Sequence, residues 1–343
     1  MIQPYYDEGG IVIYHGDALT VLRSLPDESI QCCVTSPPYW GLRDYGTEGQ
    51  LGLEPTPDAY VSNLVAVFRE VRRLLKQDGT LWMNLGDSYN ANTGSGFNAH
   101  SQTRPHLSGE GVGQKRIDEK NRNTIMKRPP WLKPKDLVGI PWMVAFALRA
   151  DGWYLRSDII WHKKNPMPES VQDRPTKAHE YLFLLAKSEK YYYDAEAIRE
   201  PHTADLRMPG GNSRVYQDRD PQHPSTRKLE PLQGAHGTMG HDGNGMRMPE
   251  KWNNPAGRNK RSVWTIATQP YPEAHFATFP PKLIEPCILA GSRPGDIALD
   301  PFLGSGTTVQ VAKGLNRQCL GIELNAAYLP LTINRLRQEV LPL

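Results

Sequence analysis

Short apolar runs alternate with one-sided helical stretches along this chain, and the alternation predicts an α/β fold. Residues 30–34 form an apolar run of strand length. Thr56 and Pro57 then supply an N-cap and a first-turn proline, and apolar side chains recur at helical spacing as far as residue 75. Residues 80–85 return as a strand. Strand, helix and strand with short connections form the βαβ unit of a parallel sheet.

The same patterns predict the remaining elements. Strands are expected at residues 11–14, 154–161, 297–299 and 319–322, and helices at residues 18–25, at 137–150 and from Thr307 onward. We expect the helix after Thr56 to stop at Asp78 and Gly79. Residues 181–186 and 191–193 predict a hairpin that turns on residues 187–190.

Two long segments interrupt this periodicity. Residues 90–130 and 201–262 are rich in glycine and in basic side chains and have little apolar repetition. Such a composition is typical of surface loops. Long irregular loops are uncommon in compact domains unless they carry function. The sequence therefore predicts inserted segments in which basic charge is concentrated.

Composition narrows the class of protein. The 343 residues carry a formal net charge of only +3, so charge alone does not indicate a polyanionic partner. No apolar run approaches the roughly 18 residues of a membrane span, and we expect no signal peptide at the N-terminus. We therefore expect a cytoplasmic protein with no membrane partner. The cysteines have no metal-ligand spacing, which predicts reduced core thiols and no metal; they are Cys32, Cys33, Cys287 and Cys319.

The first candidate for chemistry is the sequence TSPPYW at residues 35–40. Proline cannot donate to a sheet ladder, so the strand at residues 30–34 must end at this rigid corner. In open α/β sheets, ligands bind beyond the carboxyl ends of the strands. A hydroxyl and two aromatic rings therefore stand where a ligand is expected.

The second candidate is the sequence DPFLGSGTT at residues 300–308. A glycine turn between a strand and a helix lets a ligand approach the backbone at the positive helix N-terminus. Glu323 ends the next strand, about 20 residues further on, which suits a ribose diol. The turn lacks the G-K-[S/T] ending of a phosphate-binding P-loop. The spacing therefore predicts a nucleoside-type cofactor.

Together the two motifs resemble the S-adenosylmethionine-dependent DNA methyltransferases that methylate exocyclic amino groups, at N4 of cytosine or N6 of adenine. Residues 159–170, 176–194 and 275–286 are similar to further blocks of that family. The catalytic motif precedes the glycine turn, which resembles the permuted order called the β class. Related enzymes that act on RNA or protein glutamine usually carry the glycine turn first.

The resemblance implies a doubly wound α/β fold with a mostly parallel, seven-stranded, Rossmann-like sheet. The sheet is circularly permuted, with the strand at residues 11–14 completing the cofactor half beside residues 319–322, and irregular DNA-recognition segments are inserted. In this division residues 1–89 form the catalytic half, 90–130 a basic insertion, 131–200 the rest of the catalytic sheet, 201–262 the target-recognition insertion and 263–343 the cofactor-binding half.

The resemblance also implies roles for individual residues. Ser36 Oγ and the Pro37 carbonyl would hold the target amine, Pro38 would fix the backbone, and Tyr39 would stack on a base flipped out of the duplex. The residues implied for S-adenosyl-L-methionine are Asp17, Thr35, His275, Phe279, Asp300, Pro301, Phe302, Gly304, Ser305, Gly306, Thr307 and Glu323. Those implied for DNA are His162, Lys163, Lys164, Arg258, Lys260 and Arg261.

The identity of the target base stays open between two readings. A serine at the first motif position resembles the N4-cytosine enzymes, whereas the NPMP sequence at residues 165–168 also occurs in adenine enzymes. We expect N4-cytosine, with N6-adenine as the alternative and a catalytically silent DNA-binding protein as the rival from another class. Double-stranded DNA is the expected partner. The resemblance allows a homodimer and a cognate restriction endonuclease as further partners. Trp40 stays open between a core aromatic and a ligand-facing one, and Arg43 and Asp44 receive no role.

Overall fold

The computed structural model describes residues 2–90, 131–201, 256–269 and 279–337. Most of the two predicted insertions, and the predicted cofactor residue His275, lie outside these ranges. The chain divides into two units: one comprises Met1–Ile198 with Arg261–Leu343, and the other comprises Arg199–Lys260. The elements of the sheet all belong to the first unit.

The first unit is built on a mixed sheet with helices on both faces. Its strands are β1 (Tyr6–Glu8), β2 (Ile11–His15), β3 (Ile30–Thr35), β4 (Leu75–Leu85), β5 (Tyr154–Lys163), β6 (His179–Ala186), β7 (Val263–Ile266), β8 (Ile297–Asp300) and β9 (Gln318–Glu323). Its helices are α1 (Ala18–Ser24), α2 (Pro57–Leu74), α3 (Ile140–Ala150), α4 (Pro281–Gly291), α5 (Thr307–Gly314) and α6 (Leu329–Arg337).

The described strands form one nine-stranded sheet in the order β1-β2-β9-β8-β3-β4-β6-β5-β7. The pairs β1–β2, β4–β6 and β6–β5 are antiparallel, and the other neighbouring pairs are parallel. The predicted doubly wound, mostly parallel fold is confirmed. The predicted number of seven strands was wrong. The short strands β1 and β7 lie at the two edges of the described sheet, one at each end, and bring it to nine strands.

The order of the strands confirms the predicted permutation. Strand β2, near the N-terminus, pairs in parallel with β9, so that His15 lies opposite Glu323. Strand β9 pairs with β8, and β8 pairs with β3. The beginning and the end of the chain therefore meet in the half of the sheet that carries the glycine turn.

Two hydrophobic layers hold the helices on the sheet. Side chains of α1, α2 and α3 pack on one face, and those of α4, α5 and α6 pack on the other. Because successive strand residues point to opposite faces, Cys33 belongs to the first layer and its neighbour Cys32 to the second. Every cysteine is buried and free, as predicted, and burial raises the pKa of Cys32 to about 12.

Helix α2 begins where its sequence predicts. Thr56 accepts a hydrogen bond from the Ala59 amide at 3.2 Å, and Pro57 occupies the first turn. The helix ends at Leu74 rather than at Asp78 and Gly79, because β4 begins directly at Leu75. The pairing register between β3 and β4 shifts near the start of β4, and this irregularity accommodates Asp78 and Gly79 within the strand.

The predicted hairpin at residues 181–193 was wrong. Strand β6 instead lies between β4 and β5 and pairs antiparallel with both. Residues 191–193 form no strand; the Tyr192 amide donates to the Asp78 carbonyl, and the Tyr193 ring stacks on Trp82. The Tyr193 side chain therefore covers the sheet, whereas Tyr191 and Tyr192 lie against Arg156 and Arg293.

Candidate active site

A rigid turn, here called the catalytic corner (residues 36–39), follows the end of β3. The Tyr60 hydroxyl of α2 donates to the Pro38 carbonyl at 2.7 Å. A Cβ at Gly52 would lie 2.9 Å from the Tyr39 carbonyl oxygen, so the following loop packs directly on the corner. The indole of Trp40 is buried and donates to the Glu54 carbonyl at 2.9 Å. Trp40 therefore anchors the corner to the core.

The Tyr39 ring is confined at its edge and at its tip. Its single hydroxyl hydrogen is donated to Glu180 Oε2 at 2.7 Å, with Asn84 Oδ1 as a second, more distant acceptor at 3.2 Å. A Cβ at Gly86 would lie 2.5 Å from Tyr39 Cε2, closer than real Cβ contacts. Burial, and then the charge of Glu180, raises the pKa of Tyr39 well above its usual value. The hydroxyl therefore stays protonated and acts as a donor.

Glu180 has a second partner in Lys163. The Lys163 ammonium donates to Glu180 Oε1, and their side chains are only 22% and 13% exposed. Lys163 also lies 4.9 Å from the centre of the Trp161 ring. The predicted DNA contact Lys163 is thus part of an ion pair within the site.

The glycine turn (residues 301–306) connects β8 to α5. Gly304 and Gly306 have φ values of 56° and 82°, in the left-handed region that favours glycine. A Cβ at Gly306 would lie 2.6 Å from Thr332 Cγ2, whereas a Cβ at Gly304 would meet nothing within 4 Å. The backbone at Gly304 is therefore open to a ligand, and Gly306 is needed for packing on α6.

Asp300 joins the two motifs. Its buried carboxylate accepts from Thr35 Oγ1 at 2.6 Å, Thr308 Oγ1 at 2.5 Å and the Phe302 amide at 3.1 Å. Burial raises the pKa of Asp300 to about 6 despite these donors. Because Thr35 directly precedes Ser36, this bond ties the catalytic corner to the glycine turn.

Glu323 closes the other side of the glycine turn. It is 8% exposed, and its two oxygens accept from the amides of Gly304 and Asn325, each at 2.7 Å. Burial raises the pKa of Glu323 to about 7. Each carboxylate oxygen has two lone pairs, so both keep capacity for hydroxyl donors. The open Gly304 backbone and this acceptor fit the adenosine part of S-adenosyl-L-methionine.

The other residues predicted for the cofactor lie in several settings. Asp17 caps α1, where it accepts from the Thr20 amide and hydroxyl. The hydroxyls of Ser305 and Thr307 are buried and bonded to Arg335. Pro301 is buried, Phe302 meets Phe68 edge-on at 6.4 Å, and Phe279 packs against the core.

The residues predicted for DNA belong to both units. His162, Lys164 and Arg261 are exposed in the first unit. In the second unit, Arg258 and Lys260 pair with Glu200 at 3.4 Å and 3.5 Å. Across the described ranges of the chain, no cluster of side chains could hold a metal ion and no helix is long and apolar enough to cross a membrane.

Sequence reasoning missed the partners of Tyr39. Asn84 and Gly86 lie at the carboxyl end of β4, and that strand end was a signal for them. Glu180 gave no such signal, because it stands at the beginning of β6. Only the antiparallel pairing of β6 with β4, which sets Tyr181 opposite Leu85, brings it to this edge.

Comparisons with known proteins agree with this geometry. The family model of the N6/N4 methyltransferases, described as DNA methylase, matches residues 30–334. The chain is 46% identical over 330 residues to the type II methyltransferase M.XycI of Xanthomonas campestris pv. cyanopsidis, spanning 96% of this chain and 89% of that protein. It is 45% identical over 334 residues to the type II methyltransferase M.Cfr9I of Citrobacter freundii, with the same coverage of 96% and 89%.

Solved structures show the same fold. PvuII DNA methyltransferase (cytosine-N4-specific) has a TM-score of 0.60 at 18% identity, over 99% of this chain and 91% of that one. A Thermus thermophilus protein complexed with S-adenosyl-L-methionine has a TM-score of 0.54 at 24% identity, over 96% and 95%. The chain therefore belongs to the DNA methylase family of N6/N4 methyltransferases and is an S-adenosyl-L-methionine-dependent DNA amino-methyltransferase.

Proposed function

We propose that this enzyme methylates the N4 amine of cytosine at a specific site in duplex DNA. The observation that carries the proposal is Ser36, since a neutral hydroxyl stands where a carboxylate is commoner in the adenine enzymes it resembles. Ser36 follows Thr35, whose hydroxyl is bonded to Asp300 at 2.6 Å. The position of Ser36 is thereby linked to the glycine turn through its neighbour Thr35.

The chemistry requires the target amine to become a better nucleophile. Bound S-adenosyl-L-methionine supplies an electrophilic methyl group, but the lone pair of an exocyclic base amine is delocalised into its ring. In the proposed mechanism Ser36 Oγ and the Pro37 carbonyl would accept hydrogen bonds from the two amine hydrogens, which turns the lone pair out of the ring plane. After the nitrogen has taken the methyl group, the amine would carry a positive charge and release one of these two protons to solvent. Pro37 and Pro38 fix these acceptors before the base arrives, which contributes through proximity and orientation.

Tyr39 is proposed to stack on the target base after the base leaves the duplex. A base inside the double helix cannot reach a pocket at the sheet edge, so it must be flipped out. The hydrogen bond from the Tyr39 hydroxyl to Glu180, with Asn84 beside it, supports this role because it fixes the far end of the ring. The backbone of Gly86 lies close against one edge of the ring and limits its rotation.

On the cofactor side, Glu323 is proposed to accept from the ribose hydroxyls and Asp17 from the adenine amine. The Gly304 backbone and Phe302 would lie against the rest of the molecule. For Ser305 and Thr307 we propose contact through the backbone, since their hydroxyls are bonded to Arg335. His275 keeps its proposed role, although it lies outside the described residues.

Recognition of DNA is proposed to rest on the inserted segments at residues 90–130 and 201–262, with phosphate contacts from exposed His162, Lys164 and Arg261. Binding that neutralises phosphates weakens as salt rises. A cognate restriction endonuclease and a homodimer, which the family resemblance implies, belong to the same proposal.

The identity of the product tests the proposal. The purified protein is incubated with unmethylated genomic DNA and S-adenosyl-L-methionine, the DNA is digested to nucleosides, and the products are identified by mass spectrometry. We expect N4-methylcytosine. N6-methyladenine would overturn the choice of base, and DNA binding without any methylated nucleoside would favour a silent binding protein.

Ser36→Ala tests the assigned acceptor. We expect turnover to fall by about a hundredfold or more, the usual effect of removing one preorganised polar group from an active site. DNA binding should persist. Ser62→Ala, at an exposed position of α2, is the matched control and should keep full turnover. Unchanged turnover in Ser36→Ala would remove Ser36 from the mechanism.

A further inference from the structure

An ion pair for which the proposed methyl transfer has no direct use lies against the catalytic corner, where Glu180 contacts Tyr39. Glu180 and Lys163 are both largely shielded from water, at 13% and 22% exposure of their side chains. Burying a carboxylate and an ammonium is costly unless each finds partners. Glu180 has its two partners on different oxygens: Tyr39 on Oε2 and Lys163 on Oε1.

We propose that Glu180 is a positioning residue that acts through the Tyr39 hydroxyl and holds the aromatic ring ready for the flipped base. The inference rests on the proposed role of Tyr39 in stacking. Lys163 has a supporting part: it neutralises Glu180 and is itself held over the Trp161 ring at 4.9 Å.

The physical reason lies in the freedom of an aromatic side chain at the end of a turn. A tyrosine with no bond at its hydroxyl can swing about its Cα–Cβ bond, and a stacking base would have to immobilise it. A hydrogen bond to an ionised carboxylate is about twice as strong as a neutral one. Asn84 provides a weaker second acceptor, and the missing side chain of Gly86 provides the room beside the ring.

Glu180 is separated from the cofactor half of the site. In the sheet, β3 and β4 lie between β6, which carries Glu180, and β8, which leads into the glycine turn. Loss of Glu180 should therefore lower kcat and leave the KM for S-adenosyl-L-methionine unchanged. A residue that only supported the fold would not produce that split.

A double-mutant cycle tests the inference. Methyl transfer from labelled S-adenosyl-L-methionine into unmethylated genomic DNA is measured for the wild type, Glu180→Ala, Tyr39→Phe and the double variant. We expect each single change to lower kcat by about tenfold to a hundredfold, the range for a displaced catalytic group. The double variant should be no slower than the slower single variant, because both changes break the same bond.

Two further variants separate positioning from other roles. Glu180→Gln keeps an oxygen that can accept from Tyr39, so it should recover most of the kcat lost in Glu180→Ala. Asp151→Ala is the matched control: Asp151 is 15% exposed and paired with Arg69, but it precedes β5 at the end opposite Lys163. It should keep the wild-type kcat.

Several outcomes would overturn the inference. Effects of Glu180→Ala and Tyr39→Phe that multiply would show independent roles, and equal losses in Glu180→Gln and Glu180→Ala would point to the charge of Glu180 itself. The cycle uses whichever base the enzyme methylates, so an adenine product would contradict the proposed function without touching this inference. Full activity of Tyr39→Ala would contradict the stacking role and the inference together.

Discussion

At the scale of single residues, Gly86 shows how a site can depend on a missing side chain. The position follows β4, and a Cβ there would lie 2.5 Å from Cε2 and 3.0 Å from Cδ2 of Tyr39. Its φ is not in the left-handed region, so glycine is needed for the neighbouring ring and not for the backbone.

We therefore predict that Gly86→Ala displaces the Tyr39 ring and lowers kcat by about a hundredfold, as expected when a catalytic group is moved by an ångström. Binding of S-adenosyl-L-methionine, measured by calorimetry, should not change. The control is Gly314→Ala at the end of α5, where a Cβ would meet nothing within 4 Å. Wild-type kcat in Gly86→Ala would show that the ring can move without consequence.

The residues that could be predicted from the sequence are those that stand in contiguous motifs. Ser36, Asp300 and Glu323 lie at the ends of parallel strands, where topology alone places functional groups. The same motif reasoning could not tell which way a side chain points. Ser305 and Thr307 belong to the glycine-turn motif, yet their hydroxyls are buried against Arg335, whose position depends on how α6 packs.

At the scale of elements, the glycine turn and helix α5 form one unit with α6. Gly306 caps α5 in a left-handed conformation, and its Cα faces Thr332 of α6. The Thr332 hydroxyl also donates to the Gly304 carbonyl at 3.1 Å. Gly304 thus leaves one side of the turn open, and Gly306 lets the other side pack on α6.

A matched pair of alanine variants separates the two tasks. Gly304→Ala should cost about 1 kcal/mol from backbone strain alone. Gly306→Ala adds a contact of 2.6 Å with Thr332, so we expect a greater loss, beyond about 2 kcal/mol. Urea unfolding measures both. Equal losses in the two variants would contradict the close packing of Gly306 on α6.

Element prediction succeeded where local signals agree with tertiary packing. Helix α2 has an N-cap, a first-turn proline and one apolar face, and it begins where these signals indicate. The hairpin prediction failed because residues 191–193 have aromatic side chains typical of strands, while the pairing of β6 was decided by β4 and β5. No local pattern reports the neighbours of a strand in the sheet.

At the scale of the whole molecule, the order of the motifs was enough to predict the permuted sheet. The strand near the N-terminus needed a neighbouring strand for its backbone hydrogen bonds. Strand β9, in the cofactor half near the C-terminus, offered an unpaired edge for it. Strands β1 and β7 were not predicted; both are short edge strands, and the Tyr-Asp-Glu sequence of β1 contains no apolar run that would indicate a strand.

The stability of the whole molecule should depend on two buried carboxyl groups. The pKa of Asp300 is raised from 3.8 to about 6 and that of Glu323 from 4.5 to about 7, in both cases by burial. Between the unfolded and folded pKa values the native state binds more protons than the unfolded state. Stability therefore falls as pH rises through each window. Below the unfolded value both states are protonated, and the stabilising contribution is complete.

Asp300→Asn isolates the contribution of the first group. The amide stays neutral at every pH and can still accept from Thr35, so the variant should lack the fall in unfolding free energy between about pH 4 and pH 6. At 1.36 kcal/mol per pKa unit, the two curves should diverge by about 2 kcal/mol between pH 4.5 and pH 8. Urea unfolding of the cofactor-free protein from pH 4.5 to pH 8 measures this divergence. Carboxyl groups that do not interact with Asp300 cancel in the difference, whereas the pKa of Glu323 should fall slightly because the charge of Asp300 helps to raise it. Parallel curves would mean that Asp300 is ionised throughout. Between about pH 4.5 and pH 7 both proteins should show the fall that belongs to Glu323.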